Sequence, residues 1–388
     1  MKRLFQLIGF IILSSHVFGQ DSTTVTSEHA TKFLFNGYIK DLQTLRTDKD
    51  FSDWDATNMV HNRLNLKWLI SDNLTATAEL RTRLFSGDDV KQVPAFAQSL
   101  RNVNELINMQ RYWKLSSSMV LHSNFERLNM DYQNKNLNVR IGRQRINWGI
   151  TTTWNPNDIF NAYNFLDFDY EERAGIDGAR ASYIINNSSN IEIAYANTGR
   201  KQGNIAAFKY SVNRGNYDIQ FIGGIFKNHL SLGTGWAGYV GDAGFKGEIQ
   251  YFAANQHSKG LLNILLESDY MFNNGWYISL GTLFNSNGLS KPVNDWTNIN
   301  LNLSPENLMP TKWNLILSTI KEINPLMSAN ISLLYAPGNK MAIIYPSIQY
   351  SLATNLDLSI VWQSYFSELN NNYEAVNHQG ILRMKLNF

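Results

Sequence analysis

Short segments in which apolar and polar residues alternate recur along most of this 388-residue chain. In the last segment, residues 381–388, every second residue from Leu382 to Phe388 is apolar. The polar positions between them are Arg383, Lys385 and Asn387. A period of two residues is that of a β-strand, because successive side chains of a strand point to opposite faces. The sequence therefore predicts an all-β protein.

Two kinds of all-β protein fit this pattern, a soluble one and a membrane barrel. No stretch of about 18 apolar residues follows the N-terminal region, so no transmembrane helix is predicted. The chain has 18 Tyr, 21 Phe and 10 Trp, and such residues form girdles at both interfaces of a membrane barrel. A terminal strand that ends in Phe388 also resembles the signal read by the barrel-assembly machinery. We therefore expect a closed antiparallel transmembrane β-barrel.

The number of alternating segments sets the size of this barrel. Alternation and turn residues together mark about 18 segments, with about 16 as the alternative. Their centres lie near residues 38, 65, 80, 125, 141, 181, 195, 208, 221, 234, 247, 267, 281, 316, 331, 345, 361 and 383. Bacterial outer-membrane barrels have even strand numbers, and both counts satisfy that rule.

The connections between these segments alternate between short and long. Every second one is short, and most of these carry the Asn, Asp or Gly that tight turns need. The short connections are 71–73, 131–136, 186–190, 213–216, 240–242, 273–275, 321–325 and 353–355. The long ones all fall in the other set and are 44–57, 86–118, 147–175, 287–310 and 367–377. Short periplasmic turns and long extracellular loops are typical of outer-membrane barrels.

The N-terminal residues predict export from the cytoplasm. Two basic residues precede an apolar run over 4–13, and small residues then lead to Gly19. This is the pattern of a cleaved signal peptide covering 1–19. Residues 20–388 are then expected to form a single barrel domain. That domain would lie in a Gram-negative-type outer membrane, in contact with lipid and lipopolysaccharide.

Composition and motifs argue against several classes of function. Removal of Lys2 and Arg3 with the signal takes Lys and Arg from 34 to 32, equal to the 32 Asp and Glu. A neutral chain gives no support to a nucleic-acid partner. The absence of Cys removes disulfides, thiolate metal sites and thiol nucleophiles. No Gly-x-Ser-x-Gly, His-Glu-x-x-His or phosphate loop is found, so we expect no enzyme activity, no cofactor and no metal.

Charged residues on the lumen face are the candidate functional residues. On the inferred parity, basic side chains from the first third of the chain point inward: Arg63, Lys67, Arg81, Arg83, Arg140 and Arg180. The opposite wall is richer in carboxylates, among them Glu267 and Asp269. Fixed charges of this kind set ion and solute selectivity in pores. The alternative is that they pair with each other and seal the lumen.

The most distinctive stretch starts at Arg140 and reads RIGRQRINWG, followed by TTTWNPND over 151–158. With 167–180 and 238–248, it resembles the GRQ…WG…NP.D pattern of porin-like outer-membrane proteins, the broad group that includes the alginate-export barrels. The resemblance implies a Bacteroidota-like bacterial source. It also implies that this segment helps to line a charged path, which carries over to Arg140, Arg143, Arg145 and Asp158. It does not imply alginate as the substrate, because alginate exporters have a denser Arg lining.

The orientation of two of these arginines depends on one glycine. Arg143 and Arg145 would face lipid if the strand alternated regularly. Gly142 is a natural site for a β-bulge, which would turn them inward. We therefore include both among the candidate pore-lining residues.

Loop 147–175 is long, aromatic and acidic. Its carboxylates are Asp158, Asp167, Asp169, Glu171 and Glu172. A long extracellular loop of a barrel either folds inward as a constriction or stays outside as a lid. If it folds inward, these carboxylates would face the arginine wall across a narrow gap.

These patterns favour a porin-like channel for passive diffusion of small hydrophilic solutes, with a preference for anions. Barrels of about 18 strands leave an aqueous channel unless loops fill it. The alternative is a loop-plugged barrel that serves as a scaffold in an envelope or secretion complex. Association of the barrel into a homo-oligomer is a further possibility.

Overall fold

Alternating side chains place the strands of this chain in one closed sheet. The computed structural model describes residues 32–102, 105–161, 174–199, 203–256, 258–292, 303–369 and 372–388. Within these ranges the chain forms one antiparallel sheet. The first strand, β1 (Phe33–Asp48), pairs with both β2 (Trp54–Ser71) and β19 (Asn372–Asn387), which closes the sheet into a barrel.

The remaining strands follow one another around the wall. They are β3 (Leu74–Gly87), β4 (Gln110–Ser116), β5 (Met119–Asn134), β6 (Leu137–Gln144), β7 (Ile176–Asn186), β8 (Ser189–Asn197), β9 (Asn204–Arg214), β10 (Tyr217–Phe226), β11 (His229–Val240), β12 (Ala243–Phe252), β13 (Leu261–Met271), β14 (Trp276–Asn285), β15 (Trp313–Asn324), β16 (Met327–Ala336), β17 (Met341–Ala353) and β18 (Leu356–Leu369). Two short helices, α1 (Asp88–Gln92) and α2 (Phe96–Ser99), follow β3. No helix in the described part of the chain has the length and apolar character needed to cross a membrane.

The strands β4 and β6 share one strand position in the barrel wall, because both pair with the same edge of β5. One edge of β5 pairs with β3 along most of its length. The other edge pairs with β4 over 119–124 and with β6 over 128–134. The barrel therefore has 18 strand positions, which confirms the predicted count and fold class. Every predicted segment centre lies in a strand, whereas β4 lies in what the sequence predicted to be a loop.

The structure agrees with the predicted short connections better than with the predicted long loops. Each of the eight predicted short connections overlaps a tight turn between consecutive strands, although 131–134 and 321–324 still belong to β5 and β15. The predicted loops 44–57 and 367–377 are wrong, because β1 pairs with β2 out to Thr47 and Trp54, and β18 pairs with β19 out to Leu369 and Asn372. The amphipathic pattern fades at these positions because a strand that rises above the bilayer has no lipid-facing side to keep apolar.

The distribution of polarity across the wall is the reverse of that in a soluble protein. On β19 the outward-facing Leu382, Met384 and Leu386 are 43%, 46% and 41% exposed. On β12 the inward-facing Glu248 and Gln250 are completely buried. Strands that are apolar outside and polar inside are those of a barrel that crosses a membrane.

Two local irregularities, in the strands next to β4, change which side chains point into the lumen and which point toward lipid. In β5 the register shifts beside Glu126, so that Glu126 and Arg127 both turn away from the lipid-facing side. In β6 Gly142 has a φ of +116°, and the following Arg143 is buried instead of facing lipid. A β-carbon at Gly142 would lie 2.3 Å from the carbonyl oxygen of Leu128, so only glycine fits there.

We predict that Gly142→Ala lowers the free energy of unfolding by about 2–3 kcal/mol, because it combines a strained φ with a backbone clash. Gly215→Ala is the matched control, since Gly215 also has a positive φ but has open space around its β-carbon position. The control should lose about 1 kcal/mol. Urea unfolding of the refolded protein measures both. Equal losses in the two variants would contradict the bulge interpretation.

Candidate functional site

The segment that leaves β6 folds into the barrel. Within residues 145–161, Trp148, Trp154 and Ile159 are at most 1% exposed. Trp148 and Ile159 pack with inward-facing residues of β7 to β13, and Trp154 packs with those of β13 to β17. The inward course of this loop, which the sequence left open, is therefore observed for the part up to residue 161.

One carboxylate holds this inserted loop against the wall. Glu248 accepts hydrogen bonds from the amides of Ile150 at 2.6 Å, Thr151 at 3.0 Å and Asn157 at 2.8 Å. The Thr151 hydroxyl adds a fourth at 2.9 Å. On the next strand Glu267 accepts hydrogen bonds from the backbone amides that follow Thr151. A buried carboxylate with several donors is well compensated, so these contacts hold the loop in one position.

A second extracellular segment enters the same side of the lumen. Leu308 and Met309 are at most 1% exposed and pack beside Trp154. The side-chain amide of Asn263 donates to the carbonyl of Pro305 at 3.1 Å. The two segments together fill much of the lumen next to the middle and later strands.

A cavity of about 630 Å³ remains beside the early strands β1 to β6, toward the short-turn end of the barrel. Four basic side chains line it: Lys67, Arg127, Arg140 and Arg145. Two acidic side chains line it as well, Glu79 and Asp131. The lining therefore has an excess of positive charge. A second cavity of about 620 Å³ lies between Ile150 and the turn ends of β7 to β10.

Above the first cavity the predicted arginine wall is paired. Arg63 forms an ion pair with Glu79, and its side chain is 4% exposed. Arg81 forms one with Glu126 at 2.5 Å. Arg83 contacts the Nδ1 atom of His122 at 3.3 Å. For Arg63 and Arg81 the structure therefore favours the alternative in which charges pair, since both lie against acidic partners and Arg63 is withdrawn from water.

Arg143 is a wall residue and does not line the cavity. Its Nε and Nη2 atoms donate to the two oxygens of Asp177 at 2.8 and 2.9 Å. Its Nη1 atom lies 3.1 Å from Glu105 and donates to the carbonyl of Phe125 at 3.1 Å. Its Nη2 atom also donates to the carbonyl of Ile107 at 2.6 Å. The guanidinium therefore joins β5, β6, β7 and the segment that precedes β4, at the point where β5 changes partner.

The other predicted site residues lie in three different settings. Arg180 is half-buried and donates to Asn138 at 2.9 Å. Glu267 faces the lumen but is covered by the inserted loop, while Asp269 pairs with Lys246 at 2.8 Å. Asp158 is completely buried and accepts the Trp148 amide at 3.3 Å, so it stabilises the loop's own turn and does not face the arginine wall. The remaining predicted carboxylates, Asp167, Asp169, Glu171 and Glu172, lie outside the described residues.

Sequence reasoning missed two residues that matter for this site. Arg127 lines the cavity only because the bulge reverses the parity of β5, and the signal for it is the charged pair between Phe125 and Leu128 in an otherwise alternating strand. The second residue is Glu248, whose role as the anchor of the loop the sequence did not indicate. A single luminal Glu carries no pattern that distinguishes an anchor from a pore charge.

The closed wall, apolar outside and polar inside, together with an inserted loop, defines a porin-type membrane barrel. The solved structure of OccK9 (OpdG) from Pseudomonas aeruginosa matches 92% of this chain and 98% of its own, with a TM-score of 0.59 and 10% identity. OccAB1 from Acinetobacter baumannii matches 92% and 97%, with a TM-score of 0.58 and 10% identity. OccAB4 from the same organism matches 92% and 99%, with a TM-score of 0.56 and 11% identity. These Occ/Opd proteins are outer-membrane porins, and at this identity they establish the fold.

Comparisons of sequence add no closer relationship. No protein-family model matches the chain, and no curated protein matches it.

We predict that Glu248→Gln loosens the inserted loop. The NH₂ group of Gln cannot accept hydrogen bonds from the backbone amides that the Glu248 carboxylate accepts. The free energy of unfolding should therefore fall by about 2–3 kcal/mol. Conductance should rise or fluctuate as the loop leaves its position. Glu322→Gln, at an exposed position on β15, is the control and should change neither. An unchanged conductance and stability in Glu248→Gln would contradict the anchoring role.

We predict that Arg143→Met destabilises the barrel by about 3–5 kcal/mol, because it leaves the buried carboxylates of Asp177 and Glu105 without their cation. Arg214→Met, at an exposed turn position, is the matched control and should change stability by less than about 0.5 kcal/mol. Urea unfolding measures both. A loss below about 1 kcal/mol for Arg143→Met would show that the cluster does not stabilise the wall, given the usual cost of an unpaired buried charge.

Proposed function

We propose that this protein is an outer-membrane channel through which small hydrophilic solutes diffuse passively, with a preference for anions. The observation that carries the proposal is the cavity beside β1 to β6, which the inserted segments leave free and which basic residues line. The likeness of the fold to Occ/Opd porins supports a channel over other uses of a barrel.

The path that we propose runs along the early strands. On the far side, the inserted loop and the Leu308 segment narrow the lumen and are held by buried carboxylates and amides. A solute would therefore pass between this fixed filling and the wall that carries Arg127 and Arg140. A barrel of about 18 strands is wide enough for such a residual path even with part of its lumen filled.

Preference for anions follows from the charge of the cavity lining. Four basic and two acidic side chains surround about 630 Å³. A sphere of that volume has a radius of about 5 Å, which is shorter than the Debye length of about 8 Å at physiological salt. Ions in the cavity are therefore poorly screened from the wall, so the excess of positive charge raises the local concentration of anions.

The alternative, a plugged barrel that acts as a scaffold, is not favoured by the structural neighbours. The described outer segments also pack into the barrel. Phe85, Val90, Ala97 and Val120 form an internal cluster, in which α1 and α2 turn apolar side chains toward β3 and β5.

Several expectations accompany this proposal. Export through the signal peptide 1–19, insertion by the barrel-assembly machinery through the strand that ends at Phe388, and contact with lipopolysaccharide are all consistent with an outer-membrane channel. A Bacteroidota-like source stays a prediction of the sequence.

We predict that the refolded protein conducts ions across a planar bilayer and that its reversal potential in a salt gradient indicates anion preference. The double variant Arg140→Ala, Arg145→Ala should conduct with a reduced or reversed preference, because it removes two of the four basic residues of the cavity. Arg214→Ala at the exposed turn has the same change of residue type outside the cavity and should behave as wild type.

Two results would overturn the proposal. The first is a folded barrel that does not conduct even when the inserted loop has been released by Glu248→Gln. The second is a conducting barrel whose selectivity is the same in the double variant and in the control, which would place the path away from this cavity.

A further inference from the structure

A group of polar side chains interrupts the apolar exterior of the barrel on one side. They lie on five neighbouring strands, and we call them the polar patch: Asp41 and Gln43 on β1, Asn58 and Asn62 on β2, Thr82 on β3, Ser123 on β5 and Arg111 on β4. An exterior that faces lipid is normally apolar throughout its central band.

The orientation of the patch residues follows from their neighbours in the chain. Successive side chains of a strand point to opposite faces, so a residue between two inward-facing residues points outward. On β1, Lys40 and Leu42 are 1% and 5% exposed, and Asp41 lies between them. Asp41 pairs across the sheet with Met384, which is 46% exposed on the outside. On β2, Asn62 lies between two buried residues in the same way.

The patch has two parts, which Val60 separates on β2. Asn62 is the cross-strand partner of Thr82, Thr82 of Ser123, and Ser123 of Arg111. The hydroxyls of Thr82 and Ser123 are 2.9 Å apart. At the other end Gln43 donates to Asp41 at 3.2 Å, and Asn58 donates to the same carboxylate.

At least part of the patch lies within the membrane-spanning height. On β2, Trp68 is about half-exposed and marks the periplasmic edge of the apolar exterior. Each residue of a tilted strand adds about 2.5 Å of height, so Asn62, six residues from Trp68, lies about 15 Å from that edge and inside an apolar band of about 25 Å. Charged and amide groups at this depth are costly against lipid tails.

On the opposite wall the described outward-facing residues at this height are apolar apart from single threonines such as Thr282. Its outward-facing residues at similar depth include Leu280, Leu317, Ile331 and Ile348, which are 53%, 41%, 56% and 42% exposed. The polar patch is therefore a property of one side of the barrel and not of the whole belt.

We propose that the polar patch is the contact surface between two copies of this chain in the membrane. Side-chain amides carry both donors and acceptors, so the patch can satisfy an identical patch. Its carboxylate, on β1, and its guanidinium, on β4, lie at opposite edges, four strand spacings or about 19 Å apart. A two-fold rotation about Thr82, on the central strand, brings each of them toward the opposite charge of the second copy.

The natural chain has no cysteine, so single cysteines report this contact directly. In lipid vesicles, Thr82→Cys should form a disulfide-linked dimer under mild oxidation. Thr282→Cys is the matched control, because Thr282 is an outward-facing threonine on β14 whose cross-strand partners are Leu266 and Leu315. The control should give at least about tenfold less dimer, since its surface faces lipid.

A charge exchange tests the predicted pairing without cysteine. Arg111→Asp should reduce the dimer fraction measured by the mass of the protein in nanodiscs, and Asp41→Arg together with Arg111→Asp should restore it. Heat-modifiable migration on gels checks that each variant is folded.

Three outcomes would overturn the proposal. They are monomers in the nanodisc mass measurement, cross-linking of Thr82→Cys no greater than that of Thr282→Cys, and cross-linking of Thr82→Cys in native membranes only to a different protein.

Discussion

A sheet that crosses a membrane must satisfy its own backbone, because lipid tails offer no hydrogen-bond partner. Pairing of β1 with β19 meets this requirement around the whole barrel except where β6 leaves the wall. There β5 lacks a strand partner on one edge, and other groups take over. Arg143 donates to the carbonyl of Phe125, and the side chain of Arg127 donates to the carbonyl of Glu126. The amide of Phe125 donates to Met109 at 3.3 Å.

This exchange of partners allows the chain to enter the lumen. Since β6 ends at Gln144, the following residues are free to cross the barrel, and β4 continues the wall in their place. The positive φ of Gly142 and the buried Arg143 therefore serve the same purpose, which is to let the chain leave the wall without unpaired backbone groups. On the other side of the lumen, Glu248 of β12 accepts the amides of Ile150 and Thr151 and so fixes the inserted loop against the wall. The departure of the chain from β6 therefore has two consequences. The inserted loop fills the lumen beside the later strands, and a cavity lined by basic residues remains beside β1 to β6.

Much of the wall could be predicted from the sequence, because a period of two and the turn residues are local signals. The strand centres and the eight tight turns follow from them. The bulge at Glu126 and the conformation of Gly142 could not be placed with certainty, since each depends on a neighbouring strand. The sequence indicated Gly142 as a bulge site, but nothing in it distinguished Arg143, which is in the wall, from Arg145, which lines the cavity. Pairing such as that of Arg63 with Glu79 is a tertiary feature that parity alone does not reveal.

The central claim is that a partly filled barrel leaves a basic path for small solutes. Swelling of vesicles that contain the wild-type protein tests it directly, with anionic, neutral and cationic solutes of equal size. The structure predicts swelling in all three, fastest for the anion and slowest for the cation, because the cavity lining carries an excess of positive charge. No swelling with any solute, or equal rates for the anion and the cation, would contradict the account.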